Sequence, residues 1–396
     1  MDKINFFPTD LNVQNQKIIL RLDLNVPVKD KIILDDTRIA LCLPFIKDLI
    51  DKKAKIIILS HLGRPRGIKD PALSLSPIYK YLKQKLNTNV YFFMGNFDDK
   101  LKNKFSYLKE GDVILIENIR YFKEETNNDE NFSKTLASLG DIFINDAFSC
   151  SHRKQSSIHK ITKFVNKSFA GPLFKKEIDA INCVIKEKKE PVTCIIGGSK
   201  ISTKINVILS LIEKINNLII VGAMANNFFV YKNFKIGKSL IEDNTNEIIK
   251  KIYDKAKKHN CEIFIPVDCM VGTSFEGEGK NKNLKQIEEN DIILDIGLNS
   301  INKIKQIIDQ SKTVLWNGPA GYFENVNFLN GTMSIAKMIS KNTSEKSLIS
   351  VLGGGDTLAA INKSKNELYF SHLSTAGGAF LEYLEGKDLP GLSVLK

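Results

Sequence analysis

The sequence has no CxxC pair and no histidine at zinc-finger spacing, although it contains six cysteines. The common structural zinc sites are therefore excluded, and scattered cysteines are typical of reduced thiols in a cytoplasmic protein. No apolar run approaches the length that spans a bilayer. The first residues also lack the basic stretch and long apolar core of a signal peptide, so we expect a cytoplasmic protein without a membrane partner.

Clusters of basic residues are also missing, although the formal net charge is +12. The excess comes from lysines scattered through isoleucine- and asparagine-rich sequence. A nucleic-acid footprint needs basic residues that cluster on one surface. The charge therefore indicates a compositional bias, and we predict no nucleic acid among the partners.

Arginine is rare, and it is confined to the first 153 residues. The six positions are Arg21, Arg38, Arg64, Arg66, Arg120 and Arg153. A chain that otherwise uses lysine keeps arginine where a planar, forked donor must bind carboxylate or phosphate. Chance clustering or structural ion pairs would give the same distribution. The surrounding motifs must therefore distinguish anion binding from these two explanations.

The length and the apolar pattern predict two α/β domains. A chain of 396 residues is long for one core and suits two domains of about 200 residues each. Apolar runs typical of buried strands alternate with helical segments, and those of the first half are 17–22, 55–59, 112–116 and 141–144. This alternation predicts doubly wound parallel (Rossmann-like) sheets.

The same pattern restarts at Pro191, after an amphipathic run over 175–188 that predicts a helix between the domains. We therefore predict an N-terminal domain over 1–170. Residues 171–396 would form this helix and the C-terminal domain.

Polar and cationic residues follow the four predicted strands of the first half. In open α/β sheets, ligands bind at this edge. Arg38 lies instead in the first turn of a helix that Asp36-Thr37 can cap, where a cation opposes the helix dipole. An anionic ligand explains that position better than helix stability does. The residues that follow the strands are Asp23 and Asn25 after the first, His61, Gly63 and Arg64 after the second, Arg120 after the third and Arg153 after the fourth.

In the second half, a glycine turn separates an apolar run from a helical segment. Gly353, Gly354 and Gly355 would let the backbone approach a phosphate, and the helix start would offer free N–H groups. Asp356 could then hold Mg²⁺ through oxygen. A flexible turn in which Asp356 is the N-cap explains the same residues, so this stretch alone leaves both interpretations open.

Lys200 and Lys204 are four residues apart, after the glycine turn 197–198. We expect both on one face of a helical first turn, where two ammonium groups repel each other unless an anion lies between them. Ordinary solvated lysines are the alternative in a chain so rich in lysine.

Four motifs closely resemble the acid-substrate motifs of phosphoglycerate kinases, in the order of that family. They are Arg21-Leu22-Asp23-Leu24-Asn25-Val26-Pro27, Ser60-His61-Leu62-Gly63-Arg64-Pro65, Glu117-Asn118-Ile119-Arg120-Tyr121-Phe122, and Asn145-Asp146-Ala147-Phe148 through His152-Arg153. The resemblance runs from end to end, and it implies that an interdomain helix and a hinge join the two domains and that the tail over 381–396 packs back on the N-terminal domain. It implies transfer of a phosphoryl group from ATP to 3-phosphoglycerate, with Asp23, Asn25, Arg38, His61, Gly63, Arg64, Arg120 and Arg153 binding the acid.

The resemblance also implies which residues bind the nucleotide. Lys200 would contact the phosphoryl group in flight, and Lys204 the nucleotide phosphates, which together with Arg38 makes three catalytic cations. The remaining nucleotide residues would be Asn317, Pro319, Glu324, Gly353, Gly354, Gly355, Asp356 and Thr357, with Asp356 as the Mg²⁺ ligand. Departures from the family pattern, at Leu24, Gln155, Asn227, Ala320 and Ala376, remove no charged group.

A carboxylate acceptor is already ionised at neutral pH, so the implied reaction requires no general base. Positioning, charge neutralisation and hinge closure would supply the catalysis, in a protein we expect to be a monomer. A dinucleotide oxidoreductase is the rival enzyme, but G-x-G-x-x-G with a following acidic residue is missing. A non-catalytic anion-binding protein would need the catalytic positions lost, and they are present.

Overall fold

The computed structural model describes residues 3–95, 97, 105–364 and 367–396. The chain divides into two compact units, Met1–Ile178 with Asp388–Lys396, and Asp179–Lys387. Among these residues, no helix has both the length and the apolar character needed to span a membrane. The domains predicted from the sequence, with limits at 170 and 381, were defined by the substrate that each one binds. Those limits and assignments stay predictions.

The first unit is built on one parallel sheet of six strands, in the order β5-β6-β4-β1-β7-β8. In chain order, the strands of this unit are β1 (Lys17–Arg21), β2 (Val28–Lys29), β3 (Ile32–Ile33), β4 (Lys55–Leu59), β5 (Val90–Phe93), β6 (Val113–Ile116), β7 (Ile142–Asn145) and β8 (Lys167–Ala170). The two shortest, β2 and β3, form a separate antiparallel pair.

Both faces of this sheet are buried, as a doubly wound sheet requires. Along β1, Ile18 and Leu20 belong to the apolar core of one face, whereas Ile19 belongs to the core of the other. The helices are α1 (Thr37–Asp51), α2 (Ser76–Lys85), α3 (Lys123–Thr126), α4 (Glu130–Ala137) and α5 (Pro172–Ile185), of which α5 continues from Asp179 into the second unit. Short 3₁₀ helices lie at Pro71–Leu73, Ile119–Tyr121, Phe148–Cys150 and Lys160–Lys163.

Asp36 is the N-cap residue of α1, as predicted, but its side chain does not cap the helix. The Asp36 side chain makes no capping hydrogen bond, and it accepts instead from Tyr81 Oη at 2.7 Å. The main-chain N–H of Thr37 donates to Asp35 Oδ1 at 2.9 Å. The Asp36 carboxylate therefore binds a tyrosine that is distant in sequence, and not the N–H groups at the start of the helix.

The second unit contains another six-stranded parallel sheet, in the order β11-β10-β9-β15-β16-β17. Its strands and those of the neighbouring small sheet are β9 (Val192–Ile196), β10 (Asn217–Ile220), β11 (Glu262–Phe264), β12 (Asp268–Gly272), β13 (Lys280–Asn283), β14 (Ile292–Ile296), β15 (Thr313–Asn317), β16 (Ile349–Gly353) and β17 (His372–Ser374). The prediction of two parallel α/β sheets is therefore confirmed.

The helices of this unit are α6 (Ile205–Ile212), α7 (Ala225–Tyr231), α8 (Asn246–Lys258), α9 (Leu298–Gln310), α10 (Asn330–Lys346), α11 (Gly355–Ile361) and α12 (Gly378–Leu384). Short 3₁₀ helices lie at Leu284–Gln286 and Val326–Phe328. The terminal helix, α13 (Pro390–Ser393), belongs to the first unit, where Gly391 N donates to Ser151 O at 2.8 Å.

A three-stranded antiparallel sheet, ordered β13-β12-β14, adds to the second unit. Strands β12 and β13 pair antiparallel as a hairpin. The third strand, β14, is not predicted from the sequence, although its run of isoleucine and leucine is typical of a strand.

Candidate active site

Strands β6, β4, β1 and β7 are neighbours in the first sheet, so the loops after them meet at one edge. A hydrogen-bonded chain links five of the predicted substrate residues there. Arg38 Nη1 donates to Asp23 Oδ2 at 2.9 Å and to Asn25 O at 3.1 Å. Asn25 Oδ1 accepts from Gly63 N at 2.8 Å, and Gly63 O accepts from Arg120 Nη1 at 3.0 Å.

We call these five residues the arginine network. It fixes the side chain of Arg38 by its partners, although the side chain is 32% exposed. Asp23 is held from a second side by a hydrogen bond from the Ser149 hydroxyl. The arrangement presents a positioned, partly exposed guanidinium at the edge of the sheet, as a bidentate anion site requires.

His61 is buried beside four arginines. Burial and the charges of Arg21, Arg120, Arg153 and Arg38 lower the pKa of this imidazole well below its usual range. Arg21 Nη2 lies 3.2 Å from His61 Nδ1, and because a guanidinium can only donate, Nδ1 is the acceptor. His61 is therefore a neutral donor through Nε2 at physiological pH.

The remaining predicted arginines differ in their surroundings. Burial lowers the pKa of Arg120 to about 10, which still leaves the side chain protonated at neutral pH. Within the described part of the chain, Arg120 Nε is buried without a hydrogen-bond partner. Arg153 Nε donates to His152 Nε2 at 3.1 Å. Arg64 follows Gly63 in its loop, but it is exposed and outside the arginine network.

Asp23, His61 and Cys150 place potential metal-ligand atoms within 4.8 Å of one another. Two of these residues already have guanidinium partners, since Arg38 binds Asp23 and Arg21 binds His61. The surrounding positive charge repels a cation. The cluster is therefore suited to an anion rather than to a metal ion.

Arg21, for which the sequence predicts no role of its own, is fully buried at the end of β1. Arg21 Nε donates to Ser157 Oγ at 3.0 Å, and the Glu125 carboxylate accepts from the same hydroxyl at 2.7 Å. The sequence feature that could have identified Arg21 is its place in an apolar strand, because a buried charge needs partners.

In the second unit, β9, β15 and β16 are neighbours, and the loops after them form a second hydrogen-bonded group. Lys204 Nζ donates to Gly197 O at 2.6 Å and to Asn317 Oδ1 at 2.8 Å. Asn317 Nδ2 donates to Gly353 O at 2.9 Å. Thr357 Oγ1 donates to the same carbonyl at 3.1 Å and accepts from Gly318 N at 2.7 Å. We call these residues the lysine network.

Two glycine turns are needed for this packing. A Cβ on Gly197 would lie 2.2 Å from Pro319 O, so only glycine lets the two loops approach. Gly354 has φ +104°, which a residue with a side chain adopts only with strain. Gly355 faces open space, since no atom lies within 4 Å of the position that a Cβ would take. The predicted order of strand, glycine turn and helix is confirmed, with Asp356 in the first turn of α11 and Gly354 as the N-cap.

The predicted geometry of Lys200 and Lys204 is wrong. The helix α6 begins at Ile205, and Lys204 is its N-cap. Lys200 is exposed, whereas Lys204 is half-buried, and partial burial lowers the pKa of Lys204 to about 8. The two ammonium groups therefore do not share a helical face, because Lys204 turns inward to the carbonyl of Gly197 and the amide of Asn317.

A cavity of about 310 Å³ lies beside the lysine network. Its walls include three predicted nucleotide residues, Pro319, Glu324 and Asp356. They also include β14 residues that sequence reasoning missed, among them Asp295, whose pKa burial raises to about 7. The sequence feature that could have identified Asp295 is a single acidic residue within an apolar run.

Known proteins resemble the whole chain. The family model described as phosphoglycerate kinase matches residues 9–387. The phosphoglycerate kinase of Wolbachia pipientis wMel is 43% identical over 387 residues, which cover 97% of each chain. That of Chelativorans sp. (strain BNC1) is 41% identical, again with 97% of each chain covered.

Solved structures agree with these relatives. Phosphoglycerate kinase from Coxiella burnetii has a TM-score of 0.88 at 38% identity, with 98% of this chain and 97% of that chain covered. The enzyme from Pyrococcus horikoshii OT3 has a TM-score of 0.82 at 28% identity, with 98% of each chain covered. The resemblance seen in the sequence motifs is confirmed, and the chain belongs to the phosphoglycerate kinase family.

Proposed function

We propose that this protein is a phosphotransferase that moves a phosphoryl group reversibly between ATP and the carboxylate of 3-phosphoglycerate, the reaction that gives its family its name. The observation that carries the proposal is the arginine network. It assembles fixed cationic and neutral donors at the ligand-binding edge of the first sheet, as an acid with both carboxylate and phosphate groups requires.

The first unit would bind the acid. Arg38 would face the reacting carboxylate, since Asp23 and Asn25 fix its guanidinium. Arg120, Arg153 and Arg64 would neutralise the phosphate, and neutral His61 would donate a hydrogen bond without adding charge. Gly63 contributes through its main chain, which already links Asn25 to Arg120.

The second unit would bind the nucleotide. Lys204 would contact its phosphates beside the turn of Gly353, Gly354 and Gly355, and Lys200 would reach the transferred group. Asn317, Pro319, Glu324 and Thr357 would complete the site around the nucleoside. Asp356 fits a magnesium ion, because its carboxylate is exposed at the cavity and oxygen is the ligand that Mg²⁺ prefers. The ion would supply charge neutralisation to the bound phosphates.

The acceptor carboxylate is ionised at neutral pH, so no side chain has to remove a proton. Arg38, Lys200 and Lys204 would act by stabilising charge on the group in transfer. The two ligands belong to different units, so we propose that turnover requires hinge closure, which would also keep water from the acyl phosphate. We propose further that the protein works as a cytoplasmic monomer in glycolysis and gluconeogenesis.

The direct test is acyl-phosphate formation from purified protein, MgATP and 3-phosphoglycerate, with each component omitted in turn. Turnover that requires all of them supports the proposal. Binding of both ligands without turnover would favour a non-catalytic anion-binding protein. Reduction of NAD or NADP in place of phosphoryl transfer would favour an oxidoreductase.

Affinity for the nucleotide is expected to fall above pH 8. Burial holds the pKa of Lys204 at about 8, below the usual value for lysine, so the ammonium that would bind phosphate is lost as the pH rises through that value. The fall approaches at most about tenfold per pH unit, the limit for loss of one proton. Calorimetric titration with MgATP between pH 7 and pH 9.5 measures it.

The control for this pH dependence is Lys204→Met, which has no titratable group at the position and should bind weakly with a flat profile. Affinity for 3-phosphoglycerate, measured on the wild type, should stay level over pH 7–9, where the arginines remain charged. An equally steep loss of MgATP affinity in Lys204→Met would assign the titration to another group.

A further inference from the structure

Asp295 is the buried carboxylate in the wall of the cavity beside the lysine network. It lies in the apolar strand β14 and is 3% exposed. Taking a carboxylate out of water is costly unless hydrogen bonds replace the lost hydration. Asp295 therefore needs hydrogen-bond donors at this position.

Both carboxylate oxygens accept main-chain hydrogen bonds. Oδ1 accepts from Ile296 N at 2.8 Å, and Oδ2 accepts from Gly331 N at 2.6 Å. Gly331 lies in the first turn of α10, whose first N–H groups have no partners within the helix. Asp295 thus fastens the end of β14 to the start of a 17-residue helix.

Two glycines allow this close approach. A Cβ on Gly321 would lie 2.4 Å from Asp295 Oδ1, and a Cβ on Gly331 would lie 2.2 Å from it. Tyr322 N also donates to Leu294 O at 2.6 Å. The segment that includes Gly321 and Tyr322 is therefore docked against the end of β14 through consecutive residues.

We propose that Asp295 is a positioning residue that holds the 319–324 segment in the shape needed to receive the nucleoside part of ATP. The cavity wall carries both Asp295 and this segment, which includes Pro319 and Glu324. Asp295 acts through the segment and does not contact the reacting atoms. The inference rests on the proposed function, because it takes this cavity as the nucleotide site.

Asp268 provides a matched control. It is also fully buried, and it accepts from Ser300 N at 2.8 Å and Asn299 N at 3.0 Å at the start of α9. A glycine, Gly297, gives it room, since a Cβ there would lie 2.3 Å from Asp268 Cγ. Asp268 thus holds a helix start as Asp295 does, but it is not among the described residues that line the cavity.

The test is steady-state kinetics of the full-length wild type, Asp295→Asn and Asp268→Asn, with MgATP and 3-phosphoglycerate varied separately. Asparagine keeps the shape of aspartate but turns an N–H towards a main-chain N–H, which removes one buried hydrogen bond. We expect Asp295→Asn to raise the KM for MgATP about tenfold, with the KM for 3-phosphoglycerate changed less than about twofold. Asp268→Asn should lower the thermal unfolding midpoint and leave both KM values within about twofold.

A wild-type KM for MgATP in folded Asp295→Asn would overturn the inference, as would the same selective rise in Asp268→Asn. If Asp295→Asn does not fold, Gly321→Ala tests the same contact, because its Cβ pushes the segment away while the carboxylate stays. An unchanged KM for MgATP in that variant would also overturn it. Absence of MgATP-dependent turnover in the wild type would instead contradict the proposed function itself, and the inference with it.

Discussion

Replacement of Arg38 by alanine is expected to lower kcat by about 10²–10³, the loss typical for one preorganised charge-stabilising donor. The guanidinium is fixed before any ligand binds, because Asp23 Oδ2 and Asn25 O accept from Nη1 at 2.9 and 3.1 Å. A positioned cation of this kind favours the charge distribution of the transition state over that of the ground state. Nucleotide binding, which we assign to the second unit, should persist.

The measurement pairs turnover at saturating substrates with calorimetric titration of MgATP. Arg66→Ala is the matched control, because Arg66 is an exposed arginine near the same sheet edge and lies outside the arginine network. We expect wild-type turnover for Arg66→Ala. Wild-type turnover in Arg38→Ala would remove Arg38 from the mechanism, and loss of MgATP binding would contradict the division of ligands between the units.

Replacement of Arg21 by methionine is expected to destabilise the first unit by about 3–5 kcal/mol, the range found when one member of a buried charge group is removed. Arg21 is fully buried and binds Ser157 Oγ and His61 Nδ1 at 3.0 and 3.2 Å. Burial raises the pKa of the Glu125 carboxyl, while the charge of Arg21 opposes that rise. Without Arg21, the buried Glu125 loses the larger of its two compensating charges and keeps only that of Arg120.

Urea unfolding of the wild type and Arg21→Met measures the loss. The double variant Arg21→Met/Glu125→Gln is the informative control, because removal of both charges should recover part of the stability. A change of less than about 1 kcal/mol in Arg21→Met would contradict the assignment, since ordinary substitutions produce changes of that size.

The sequence predicted the sheets well because the signal is local. Runs such as Ile56–Leu59 and the mostly apolar Val192–Ile196 show no alternation, which is typical of a strand buried on both faces. The prediction that polar residues after such strands meet at one edge required only the rule for parallel sheets. The arginine network bears out that geometry for Asp23, Asn25, Gly63 and Arg120, while the ligand-binding roles stay predictions.

Local rules failed where a distant segment supplied the partner. The lysine pair at 200 and 204 has helical spacing, but Lys204 turns towards Asn317, which is 113 residues away in the chain. Asp36 has the residue type of an N-cap, but Tyr81 binds it. In each case a tertiary hydrogen bond replaced the contact expected from the neighbouring sequence.

The order of the motifs along the chain was enough to assign the family, and local patterns were enough to predict the two parallel sheets and the charged residues at their edges. Three further features depend on how the chain folds: His61 is neutral, Lys204 is half-buried while Lys200 is exposed, and Asp295 holds a helix start at the cavity wall. Protonation and partner choice depend on burial and on charges brought from distant parts of the chain. Those quantities arise from packing, which no local pattern of residues records.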